Sequence, residues 1–80
     1  MTLTEAIQSR IRGLCAERCI TLNKLSYICG VTQSTLENIF IRPNTKPTVS
    51  TVKKICDGLE ITLGEFFSHP LFDELEQEIR

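Results

Sequence analysis

The side chains with chemical reach are few, and their spacing decides what they could do. Four cysteines stand at Cys15, Cys19, Cys29 and Cys56. Cys15 and Cys19 lie four apart, so any helix that carries them presents both on one face. That spacing admits a shared metal, but it is not the tight C-x2-C step of zinc sites. Cys29 and Cys56 each fall inside an apolar pattern, where a thiol serves as a small hydrophobe. The weightier expectation for all four is a structural, reduced thiol. The sole imidazole, His69, directly precedes Pro70 and suits a helix cap better than a ligand or a base. The four glycines are scattered, and a loop that cradles phosphate needs them clustered. No acid, base and nucleophile can be placed together. The sequence therefore argues against an enzyme, and no cofactor or metal is expected.

Composition narrows the class further. Eighty residues, 41% hydrophobic and 24% charged, describe one ordinary soluble domain. No apolar run approaches the ~20 residues that cross a bilayer. The start, Met1 to Ala6, lacks the basic-then-apolar pattern of a secretory signal, so the expected location is cytoplasmic and no membrane partner is expected. The net charge of −1 hides a strong asymmetry. Residues 1–56 carry eight basic side chains against three acidic ones, a balance of +5. Residues 57–80 carry one against seven, a balance of −6. A basic body can face a polyanion while an acidic tail points away from it.

The elements that must position these groups read as short helices, because no segment sustains period-2 alternation. Ile7, Ile11, Leu14 and Cys15 form one buried stripe of a first helix from Leu3 to about Arg18, with Thr4 as its N-cap. Thr21 caps a second, Leu22 to Cys29, with Leu22, Leu25, Ile28 and Cys29 on its apolar face and Gly30 as its stop. Tyr27 is expected to pack against a neighbouring helix. Thr32 caps a third, Gln33 to about Ile41, burying Leu36, Ile39 and Phe40. Thr48 caps a fourth with Val49, Val52, Ile55, Cys56 and Leu59 inward. Thr62 caps a fifth, with Leu63, Phe66 and Phe67 inward and Glu65 completing a capping box. Pro70 opens a last helix whose face carries Leu71, Phe72, Leu75 and Ile79.

Two short helices joined by a tight, Gly-containing turn make a helix-turn-helix. Counting Leu22 as the first position, Leu25 is fourth, the small Ser26 fifth, Gly30 ninth, Val31 tenth, Leu36 fifteenth and Ile39 eighteenth. The fifth must be small where the helices approach, the ninth must turn, and the apolar positions fix the crossing angle.

With this set in place, the stretch from about Ile11 to Phe67 resembles the Cro/C1-type (XRE) helix-turn-helix family of bacterial and phage regulators. Gly30-Val31-Thr32-Gln33-Ser34-Thr35-Leu36 is similar to the start of that family's recognition helix. Lys53-Lys54-Ile55-Cys56-Asp57-Gly58-Leu59-Glu60-Ile61-Thr62-Leu63-Gly64-Glu65-Phe66-Phe67 looks like its last two helices. The resemblance implies an all-α, five-helix, lambda-repressor-like DNA-binding domain over residues 1–69, followed by an acidic amphipathic helix over 70–80. It implies a sequence-specific regulator of transcription, of the repressor kind, whose partner is a double-stranded DNA operator. The recognition helix, 33–41, would lie in the major groove with Gln33, Ser34, Glu37 and Asn38 at base edges. Thr21, Asn23, Lys24, Thr32, Thr35, Arg42, Asn44, Thr45 and Lys46 would contact phosphate. A homodimer is implied as well. The stripe Leu71, Phe72, Leu75 and Ile79 can cover a second copy or fold back on its own domain.

The sequence departs from the family pattern at several positions. The usual Gln at the first motif position is Leu22, the exposed recognition face has no Arg or Lys, and Phe40-Ile41-Arg42 replaces Glu-Asn-Gly. Glu37 would repel phosphate unless it accepts from a cytosine amine. These changes imply modest affinity for one monomer. They leave a second reading open, in which the same fold is a protein-interaction module, antitoxin-like or an adaptor, using Glu37, Ile41 and the acidic tail.

Overall fold

A computed structural model describes residues 1–41 and 46–79. The order is α1 (Leu3–Glu17), α2 (Leu22–Cys29), α3 (Gln33–Ile41), α4 (Val49–Leu59) and α5 (Leu63–Phe67), then a 3-10 helix (Pro70–Glu74). No strand occurs among the described residues.

Threonine hydroxyls start the helices. Thr21, Thr48 and Thr62 accept from the amides of Lys24, Thr51 and Glu65 at 3.0–3.1 Å. The cap of α1 is Thr2, not Thr4. Thr2 has Glu5 three residues on, whose carboxylate accepts from the Thr2 amide while the Glu5 amide donates to the Thr2 hydroxyl, whereas Thr4 has Ile7 there. Hydrogen bonding by Thr2, its backbone amide first and its side chain second, holds the Glu5 carboxyl below the ordinary range.

The helix stops divide into two kinds. Gly30 ends α2 in the left-handed region, at φ 68°. Cys19 (φ 54°) and Glu60 (φ 59°) take the same conformation after α1 and α4 without being glycine. Each closes a Schellman pair: Ile20 N–H reaches Cys15 O and Ile61 N–H reaches Cys56 O, both at 3.0 Å.

The core gathers Ile7, Ile11, Leu14 and Cys15 of α1, Leu25 and Cys29 of α2, Leu36 and Ile39 of α3, Val52, Ile55, Cys56 and Leu59 of α4, and Phe66 of α5. Burial pushes the Cys15 and Cys56 thiols up, so they stay protonated and pack as hydrophobes. Cys19 is exposed. The tightest seam runs between α2 and α4: a Cβ on Gly58 would fall 2.6 Å from the Cβ of Cys29. Four apolar expectations fail. Val49, in the first turn of α4, is 69% exposed, Tyr27 83%, and Ile28 and Phe67 lie near the edge of exposure.

The C-terminal helix is shorter than the apolar stripe implies. It ends at Glu74, and Leu75 to Ile79 are not helical. Phe72 leaves the stripe to pack on Phe67 and Phe66, at centroid distances of 4.9 and 6.1 Å. Leu71 and Leu75 are half-buried, and Ile79 is exposed. Glu76 N–H donates to Met1 O at 3.0 Å, so the tail folds back beside the start of α1. A helix over residues 70–80 is short enough to be marginal in water, and the aromatic contacts and the backbone bond outcompete it. His69 caps this segment as expected, its Nδ1 accepting from Leu71 N–H at 3.1 Å.

Candidate nucleic-acid interface

The placement of α3 follows from bonds made by α1. Gln8 Nε2 donates to Ile39 O, and the Arg12 guanidinium lies over the Phe40 ring at 4.6 Å. Arg10 Nε and Nη2 donate to Phe66 O and Glu65 O at 2.8 and 3.0 Å, closing the C-terminus of α5. On the inner side of α3, Leu36 and Ile39 are buried against the core. Ser26, the small fifth motif position, is buried in α2, and its hydroxyl donates to Asn23 O at 2.8 Å. Gly30 then swings the chain so that Thr32 caps α3, accepting from Thr35 N–H at 3.2 Å.

This leaves the outer face of α3 bare. Gln33, Ser34, Thr35 and Glu37 are exposed and Asn38 is half-buried. Gln33 Nε2 donates to Glu37 Oε1 at 3.2 Å, while the Thr32 and Thr35 hydroxyls share a bond of 2.8 Å. Thr21, Asn23 and Lys24 are exposed at the start of α2, with the Lys24 ammonium 5.5 Å from the Tyr27 ring centroid. Lys46 is exposed and shares a surface notch of about 200 Å³ with Thr35, Asn38, Thr48 and Thr51. Arg42, Asn44 and Thr45 lie outside the described residues.

Of the expected site, then, one surface brings together Thr35, Asn38 and Lys46, and the exposed end of α3 carries Gln33, Ser34 and Glu37. Thr48, read from the sequence as a cap, and Thr51, to which the sequence assigned no role, also line the notch. The helical step of three from the cap could have signalled Thr51. Tyr27 stands in solvent beside Lys24, and its neighbours in sequence give no sign of this. Lys46 also borders a second groove, of about 290 Å³, whose other wall includes Glu76, Gln77 and Glu78. The acidic tail thus flanks Lys46, which also lines the notch beside α3. Among the described residues, no three His, Cys, Asp or Glu side chains gather to hold a metal, and no helix is long and apolar enough to cross a membrane.

A buried inner face, a Gly turn after a short α2 and a polar, unoccupied outer face on α3 define a helix-turn-helix domain. The chain belongs to the Cro/C1-type helix-turn-helix DNA-binding domain family, whose model matches residues 10–71. In fold it is similar to the prophage Lp1 protein 11, known from its crystal structure. The TM-score is 0.82 with 28% identity, over 94% of this chain and 99% of that one. No curated protein sequence matches it.

Proposed function

We propose that the protein is a sequence-specific DNA-binding regulator of transcription, of the repressor kind, that lays α3 in the major groove of a double-stranded operator. The observation that carries this is the divided character of α3: Leu36 and Ile39 are at most 2% exposed, while Gln33, Ser34 and Glu37 are exposed and, among the described residues, their side chains bond to nothing beyond their own helix. Gln33, Ser34, Glu37 and Asn38 are the groups within reach of base edges. Thr21, Asn23, Lys24, Thr32, Thr35 and Lys46, with Arg42, Asn44 and Thr45 that follow α3 in sequence, supply the phosphate contacts. Two copies related by a two-fold axis would read half-sites about 34 Å apart.

Selection from a pool of duplexes with randomised centres, run at two salt concentrations, tests the reading. A consensus should emerge whose retention falls steeply with salt, because bound phosphates release counterions. Lys46→Ala should weaken every duplex about equally and reduce the salt slope by about 0.9. Ile41, 71% exposed at the end of α3, favours the second reading, a module that binds a protein. Under that reading the selection returns no consensus.

A further inference from the structure

The bond between Gln33 and Glu37 bears on which base the helix prefers. Glu37 is exposed and carries a carboxylate, which can only accept. The Gln33 atom opposite it, 3.2 Å away, must therefore be the amide nitrogen. An unrestrained Gln amide turns freely, because its terminal torsion is broad and two-fold. Here the turn is fixed. One N–H is held by Glu37, and the other N–H and the carbonyl remain for a partner, in a set order.

We infer that Glu37 is a positioning residue for Gln33, locking its amide so that the pair selects adenine over guanine. This rests on the DNA-reading role proposed above. Adenine offers an acceptor at N7 and a donor at N6, which match the free N–H and the carbonyl of Gln33. Guanine offers acceptors at both N7 and O6. A locked carbonyl then faces O6 with no hydrogen between them, whereas a free amide turns its NH2 group to guanine at little cost. The acid on the recognition face, a liability toward phosphate, thus narrows the code. Lysine or arginine at position 37 could not do this, since neither accepts a hydrogen bond.

The test uses the full chain and duplexes carrying the consensus selected with the wild type, with A·T or G·C at the pair that Gln33→Ala relaxes. Glu37→Ala removes the acceptor. Glu37→Gln keeps the length but lets both amides turn. Both variants should melt with the wild type, and both should bind all duplexes somewhat more tightly, because a negative charge near phosphate is gone. The adenine-over-guanine preference should fall about fivefold in each, the worth of one well-placed bond. In a Gln33→Ala background, Glu37→Ala should leave the preference at that pair unchanged. An unchanged preference in the single variants, with the wild-type consensus intact, overturns the inference and leaves the DNA-reading role standing. Loss of a cytosine preference at a neighbouring pair, with the adenine preference unchanged, overturns it too, since Glu37 would then read a base in place of holding Gln33. A wild type that selects no consensus fails the underlying role and the inference with it.

Discussion

On α1, the polar side chains Gln8, Arg10 and Arg12 turn toward the chain itself, onto Ile39 O, onto Glu65 O and Phe66 O, and onto the Phe40 ring. On α3, Gln33 reaches only as far as Glu37, and Ser34 stands free in solvent. The two helices have similar amphipathic patterns and opposite uses for them. A donor near an unsatisfied helix-end carbonyl becomes part of the fold, because that carbonyl has no partner within its helix. Among the described residues, the donors at the exposed start of α3 bond to no carbonyl of another helix. The contrast also corrects the charge reading. Arg10 and Arg12 count toward the +5 of residues 1–56, yet they hold helices together. Lys53 is likewise engaged, with Asp57 one turn on.

The contrast can be broken or sharpened by substitution. Leu36→Ala should collapse it, because both uses of α3 depend on its buried stripe: about 3 kcal/mol of stability lost in denaturant melts, and DNA retention lost with it. Arg10→Ala should cost about 2 kcal/mol through two broken charge-assisted bonds, leaving binding by the folded fraction unchanged. A shallower salt slope in that variant would make Arg10 a phosphate contact and dissolve the distinction. Gln33→Ala should do the reverse, with an unaltered melt and about 1.5 kcal/mol of discrimination lost at one base pair. The smallest effect lies at the α1 cap. Glu5 titrates below its ordinary value near 4.5, so its contribution is present above that pH and fades as pH falls through the lowered folded value. Glu5→Gln should lower the melting temperature at neutral pH, and the gap to the wild type should close in acid.

Much of this was legible in the residues. The spans of α2 and α3 follow from Thr21, Gly30 and Thr32, since caps and a left-handed glycine leave signatures. The stops at Cys19 and Glu60 leave none, because the same backbone turn is made by residues that rarely adopt it. Thr4 was the nearer cap by apolar pattern, yet reciprocity with Glu5 decides for Thr2. Periodicity misread the tail for another reason. Leu71, Phe72, Leu75 and Ile79 are spaced for a helix, but spacing says nothing about what each side chain can reach, and Phe72 reaches two rings. At the interface, the exposure of Gln33, Ser34 and Glu37 followed from the motif. The bond between Gln33 and Glu37, and the sharing of Lys46 between notch and tail, needed three dimensions.

The close approach of Gly58 to Cys29 has an evolutionary consequence. The α2–α4 seam beneath the motif rests on a contact with no room for an added Cβ, while the outward residues Gln33, Ser34 and Glu37 of α3 are exposed. If α3 reads DNA as proposed, descendants of this chain can trade one target for another by changes at Gln33, Ser34 or Glu37 and inherit the scaffold intact, whereas a lineage that replaces the glycine must first reshape the seam beneath it.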